Sequence, residues 1–114
     1  MNSILNFTNS NLGKQIKKVP INLIYKETEF VLKAEDINKS TIQGIIDLYY
    51  INETGNIVLI DFKTDKLSNS DDFIDRYSKQ LNIYKIALER LTNKKVEKTY
   101  IYSFNLNKEI EIKC

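Results

Sequence analysis

Two carboxylates stand where the surrounding chain is built to exclude charge. Asp47 interrupts Ile45-Ile46-Asp47-Leu48-Tyr49, and Asp61 closes the run Ile57-Val58-Leu59-Ile60. A carboxylate among apolar neighbours costs several kcal/mol unless a cation or hydrogen bonds compensate it. The β-branched runs over 42–51 and 57–62 flank Asn52-Glu53-Thr54-Gly55-Asn56, a Gly-containing loop that predicts a β-hairpin. The register that sets Asn52 opposite Asn56 also sets Asp47 opposite Asp61, with Cβ atoms about 5 Å apart. Two like charges that close repel, and a divalent cation between them resolves the conflict. Lys63 follows Asp61 by two residues, so strand alternation puts it on the same face. Two carboxylates and an ammonium suit metal-assisted phosphodiester hydrolysis, with the Phe62 backbone carbonyl as a further oxygen ligand. The bland alternative is a strand-end ion pair of no catalytic consequence, and a one-residue slip in register would separate the two aspartates.

Other side chains could support such a site. Gln80 and Tyr84 are four apart and share a helix face, where an amide and a phenol could hold a DNA backbone or steady the metal site. They also suit a core tyrosine beside a solvated glutamine. Glu27, between Lys26 and Thr28, is a third acidic candidate or a surface residue. Lys14, Lys17 and Lys18, and Lys94, Lys95 and Lys98, could touch phosphates or simply be solvated.

The elements that must position these residues follow from length and pattern. The chain has 114 residues, Lys+Arg 17 against Asp+Glu 15, no His and one Cys. That length suits one domain, expected here over 1–114. Without His, a His/Cys zinc site and a Ser-His-Asp triad are excluded, so any metal must take oxygen ligands. A lone Cys114 cannot form an internal disulfide. A net charge of +2 is too mild to diagnose a nucleic-acid binder. No apolar run approaches the ~18 residues of a membrane span, and the start lacks a signal-peptide pattern. The pattern predicts a helix over 3–18 ended by Pro20, a strand over 21–33, a polar turn over 36–40 and the hairpin. It then predicts a helix capped by Ser70, with Ile74, Tyr77, Leu81, Tyr84, Leu88 and Leu91 as its apolar stripe. Strands over 96–104 and 109–113 close the chain. The order α-β-β-β-α-β, with a short last strand, is α/β with a mixed central sheet.

Three segments carry a resemblance. They are Ile42-Gln43-Gly44-Ile45-Ile46-Asp47-Leu48, Leu59-Ile60-Asp61-Phe62-Lys63-Thr64-Asp65 and Tyr77-Ser78-Lys79-Gln80-Leu81-Asn82-Ile83-Tyr84. Together with the flanks Ser10-Asn11-Leu12-Gly13-Lys14 and Lys26-Glu27-Thr28-Glu29-Phe30, and with the strand after Val96, they resemble the RecB-like PD-(D/E)XK nucleases. The form is that of the C-terminal nuclease domain of AddA-type helicase–nucleases, over roughly residues 7–113. The resemblance implies a restriction-endonuclease-like core, Asp47 and Asp61 as ligands of Mg²⁺ (Mn²⁺ substituting) and Lys63 as the catalytic lysine. It makes Gln80 and Tyr84 the Q-x-x-x-Y motif and Glu27 the acidic residue on the preceding strand. It further implies an exonuclease in the bacterial cytoplasm, acting on single strands from an unwound duplex in double-strand break repair and recombination. Its partners would be a helicase region and an AddB-like subunit.

Two family features have no counterpart here: a metal-ligating His on an upstream helix, and the G-x-x-x-x-G-K-[ST] loop of the helicase motor. A truncated nuclease domain is therefore expected, with one sheet face under-covered and able to drive homodimerisation. The alternatives are a catalytically silent module for DNA binding or subunit docking, and a stand-alone nuclease for branched DNA.

Overall fold

The computed structural model describes residues 10–33 and 41–113. The turn expected over 36–40, and Ile4 and Leu5 of the expected first helix, lie outside the described residues. Helix α1 covers Asn11–Lys17, with Ser10 Oγ accepting the Gly13 N–H at 3.1 Å as its cap. It stops before Pro20, and a 3₁₀ turn over Ile21–Leu23 then precedes β1 (Ile24–Leu32), so this strand starts later than its alternation suggests.

Strands β2 (Ile42–Ile51) and β3 (Ile57–Lys63) form the expected hairpin. Leu48 pairs with Ile60, Tyr49 with Leu59, Tyr50 with Val58 and Ile51 with Ile57. One further step of that register sets Asp47 against Asp61. The Asn52 N–H donates to the Asn56 carbonyl at 2.8 Å. Gly55 takes φ 82, the left-handed region that a residue without Cβ enters freely. The loop is pinned twice. Asn52 Oδ1 accepts from the backbone N–H of Thr54 and Asn56, while Glu97 on the neighbouring strand accepts from the Asn52, Thr54 and Asn56 side chains.

Helix α2 (Ser70–Thr92) follows, then β4 (Val96–Ser103) and β5 (Lys108–Glu111). The sheet order is β1-β2-β3-β4-β5. Every neighbouring pair is antiparallel except β3 and β4, which run parallel because α2 is the crossover between them. The cap of α2 is Asn69 rather than Ser70: Asn69 Oδ1 accepts the Asp72 N–H at 3.0 Å. Both types are competent caps, and the chain enters one residue earlier than expected. The helix ends at Asn93, whose φ of 58 and N–H to the Glu89 carbonyl make a left-handed stop.

Two apolar layers sandwich the sheet. Phe73, Leu81, Ala87 and Leu88 of α2 pack on Phe30, Ile46, Leu59 and Ile101. Leu12 of α1 packs on Leu48, Val58, Ile60 and Tyr102. Each fully buried Leu, Ile or Phe contributes about 1.5–3 kcal/mol to holding a helix on its face. Leu91, expected on the α2 stripe, is instead exposed. Spacings of three and four average 3.5, and a 3.6-residue helix drifts off such a stripe by about 20° per heptad. Val31 and Ile45 are also exposed, on the face of β1 and β2 opposite α2. No described helix is long and apolar enough to cross a membrane.

The β1–β2 pair contains one irregularity that simple alternation hides. Ile46 faces the α2 layer, yet Leu48 faces the α1 layer, and Tyr49 returns to α2. Across from it, Phe30 belongs to the α2 layer and Ile24 packs toward α1. Lys26 pairs with Leu48 and Thr28 with Ile46, so both strands change face at the residues between, Glu27 and Asp47. Glu27 takes φ 48, a left-handed conformation that strains a non-glycine residue in a strand. Asp47 therefore sits where the strand turns over, between the two faces of the sheet.

Candidate active site

The C-terminal end of β3 carries the charge. Asp61 is only 3% exposed, the one ionisable residue among the buried polar side chains of the described chain. Its Oδ2 receives no well-aligned hydrogen bond, and the Lys63 ammonium lies 2.9 Å away as an ion pair. Burial, and after it the Asp47 carboxyl alongside, push the Asp61 pKa up to about 6 against the opposing pull of Lys63. Lys63 is itself held above its ordinary range. Desolvation lowers its pKa, but the hydrogen bond and charge of Asp61 outweigh it.

Asp47 approaches from β2. Its Oδ2 accepts the backbone N–H of Phe62 at 2.9 Å, so the carboxylate replaces a ladder partner at the point where β2 changes face. Alternation along β3 sends the Lys63 carbonyl toward β4, where it accepts the Phe104 N–H at 3.0 Å. The Phe62 carbonyl, like the Phe62 N–H, is thereby directed to the β2 side, where Asp47 lies.

Helix α2 supplies the other wall. Gln80 Oε1 accepts from Lys63 Nζ at 3.2 Å, and Gln80 Nε2 donates to the Tyr84 hydroxyl at 3.0 Å. Burial raises the Tyr84 pKa, so the phenol stays a neutral hydrogen-bonding group. Phe30 meets the Tyr84 ring edge-on at 5.4 Å. Gly44 makes room for this, because a Cβ there would lie 2.7 Å from the Phe30 ring.

Five of the side chains singled out by sequence thus converge: Asp47, Asp61, Lys63, Gln80 and Tyr84. Glu27 does not join them closely. It lines an open cleft of about 850 Å³ on the α1 side, together with Lys26, Asp47, Phe62, Ile16 and Ile24. Among the described residues no group of three or more His, Cys, Asp and Glu forms a cation cage. Lys94, Lys95 and Lys98 are not at the site. They lie where β4 begins, beside the start of β3, and Lys98 pairs with Glu111 at 3.5 Å. Tyr77 was legible only as a member of the helix stripe, yet its ring lies 4.2 Å from Lys63 Nζ. Its spacing of three before Gln80 and seven before Tyr84 was the available signal.

The donor set is oxygen-rich and free of thiol and imidazole, which fits Mg²⁺ or Mn²⁺. A buried carboxylate oxygen without a directed donor, beside a second carboxylate, is an arrangement that a divalent cation relieves. An ammonium on the same face is placed to stabilise added negative charge on a bound oxyanion.

A mixed sheet flanked by helices, with paired aspartates and a D-x-K lysine at adjacent strand ends, defines a nuclease-type α/β domain. The sequence profile of the PD-(D/E)XK nuclease superfamily matches residues 8–112, and the chain belongs to that superfamily. It is similar to bacterial proteins named as the AddA-type subunit of an ATP-dependent helicase/nuclease. The one from Clostridium beijerinckii is 38% identical, covering 96% of this chain and 10% of the relative. Those from Clostridium novyi (40% identical, 96% and 10%) and Syntrophomonas wolfei (35%, 98% and 10%) agree. The chain spans about a tenth of the length of these curated relatives.

Proposed function

We propose that the chain carries a Mg²⁺-dependent deoxyribonuclease centre, with Mn²⁺ able to substitute. The observation that carries this reading is the buried Asp61 carboxylate set between Asp47 and the Lys63 ammonium. Asp47, Asp61 and the Phe62 carbonyl are the residues that would hold the cation. When bound, a divalent cation supplies Lewis acidity: it offsets the carboxylate repulsion, acidifies water and polarises a phosphodiester. Lys63 contributes a fixed positive charge toward the pentavalent transition state. Gln80 orients Lys63 through its amide oxygen, and Tyr84 orients Gln80. Glu27, across the cleft from α1, faces the approach to Asp47 and would act on incoming backbone or on a second cation.

The substrate class follows from the superfamily and from the relatives' name. The centre would cut single strands of DNA delivered by an ATP-driven helicase region, as an exonuclease in double-strand break repair and recombination. It would work beside an AddB-like subunit in the bacterial cytoplasm. Residues 1–114 form one nuclease domain in this reading. Replacing Asp47, Asp61 or Lys63 by Ala in the natural protein is expected to lower Mg²⁺-dependent strand cleavage by at least about 100-fold. Cleavage unchanged in the Asp61→Ala protein would overturn the proposal.

A second reading has one observation in its favour: the chain contains no His to complete a three-residue ligand set around the two aspartates. In that case the fold serves DNA binding or subunit docking without catalysis. Calorimetric titration with Mn²⁺ separates the two, since only a competent pair of carboxylates gives saturable binding that Asp61→Ala removes.

A further inference from the structure

Lys63 ends in four rotatable bonds, and an ammonium that must meet one reacting group needs more than a single ion pair to fix it. The structure surrounds it on three sides. Asp61 Oδ2 is 2.9 Å away, Gln80 Oε1 is 3.2 Å away, and the Tyr77 ring centroid is 4.2 Å away. The Tyr77 ring is itself anchored. Its hydroxyl donates to Asp65 Oδ2, two residues beyond Lys63, and the same oxygen takes Arg76 at 3.3 Å. Fully buried Phe73, one turn earlier on α2, packs at 6.4 Å between ring centroids. The ring is thus tied to the end of β3 by its hydroxyl and to α2 by its backbone, with Lys63 in between.

We propose that Tyr77 is a positioning residue for the Lys63 ammonium. The face of its ring holds the cation next to Asp61, and the tie to Asp65 holds the ring. An aromatic face attracts a cation without accepting a proton or competing for a hydrogen bond. That distinguishes it from a carboxylate at the same place, which would neutralise the charge the reaction needs. Tyr77, Gln80 and Tyr84 occupy one helix stripe at spacings of three and four, so a single helix face steadies the lysine by ring, amide and, through the amide, phenol. The catalytic consequence rests on the nuclease reading above; the placement of Lys63 does not.

Two measurements on the natural protein separate these claims. In ¹H–¹³C spectra, the Lys63 ε-methylene protons are expected to be displaced upfield by the ring current. The displaced signal should vanish in Lys63→Arg and Tyr77→Leu and persist in Tyr77→Phe. In steady-state cleavage of a single-stranded oligonucleotide at saturating Mg²⁺, Tyr77→Leu should lower kcat about 3- to 30-fold with little change in KM. Tyr77→Phe should stay within about 3-fold of the parent. Should Tyr77→Leu fail to fold, Tyr77→Met offers similar bulk without an aromatic face and carries the same expectations. A parent spectrum without the displaced signal overturns the proposal, as does parental kcat in the folded Leu or Met variant. A parent protein that cuts no DNA defeats the nuclease reading instead, and the Lys63 signal then decides the positioning claim by itself.

Discussion

The Asp47 carboxylate accepts the backbone N–H of Phe62, the residue between Asp61 and Lys63, at 2.9 Å. One hydrogen bond therefore joins the G-x-x-D strand to the D-x-K strand at the place where β2 changes face. It gives Asp47 a structural duty separable from any metal-binding one. Asp47→Asn keeps an acceptor for the Phe62 N–H, whereas Asp47→Ala leaves that donor unpaired. The Ala protein is expected to be about 1–2 kcal/mol less stable in urea denaturation than the Asn protein, with cation binding lost in both. Equal stabilities would show that the bond to Phe62 contributes nothing.

Asp61 sets the sign of a pH dependence. Its folded pKa of about 6 lies above the ordinary 3.8, so between those values the folded protein binds more protons than the unfolded chain. Without added metal, the contribution from this group is fully present below about pH 4 and is lost as pH rises through about 6. The loss is on the order of 2–3 kcal/mol. Urea denaturation in a chelator between pH 4 and 7.5 measures it, and Asp61→Asn should remove this component. Adding Mn²⁺ at pH 7 should restore stability in the parent and not in Asp61→Asn.

Gly44 is expected to tolerate no side chain. A Cβ would fall 2.7 Å from Phe30 Cζ and 2.8 Å from Phe30 Cε2, both buried ring atoms. The displaced ring would press on Tyr84, which it meets at 5.4 Å. Gly44→Ala should cost about 1–3 kcal/mol in thermal or urea unfolding. It should also slow cleavage through the Tyr84–Gln80–Lys63 chain. Pairing it with Phe30→Leu, which clears the space, is expected to recover part of the lost stability. No recovery would place the strain elsewhere.

The hairpin was legible because loop and strands agree: one Gly-containing turn between two β-branched runs leaves a single register that buries both. That register alone brought Asp47 to Asp61, and strand alternation brought Lys63 to the same side. Gln80 and Tyr84 were legible because helix spacing fixes their shared face. The change of face at Glu27 and Asp47 was not. It requires φ 48 at Glu27, and glutamate is not a residue type that signals a left-handed backbone. The lysines after α2 were misplaced for a topological reason. Helix α2 carries the chain back to the start of β3, so proximity in sequence to Tyr84 becomes distance from the site. Tyr77 was hidden by its own apolarity, since a ring that packs on a core and a ring that holds a cation look alike in a helix stripe.

Everything proposed for the site requires Asp47 and Asp61 to hold one divalent cation. A crystal structure of the protein soaked in Mn²⁺, with anomalous difference density calculated at the manganese edge, decides whether they do. A peak is expected within coordinating distance of both carboxylates and the Phe62 carbonyl, with Lys63 on the same side, and no peak in Asp61→Asn. Manganese bound elsewhere while the two aspartates stay empty at saturating concentration, or a peak that survives Asp61→Asn, would refute the shared site.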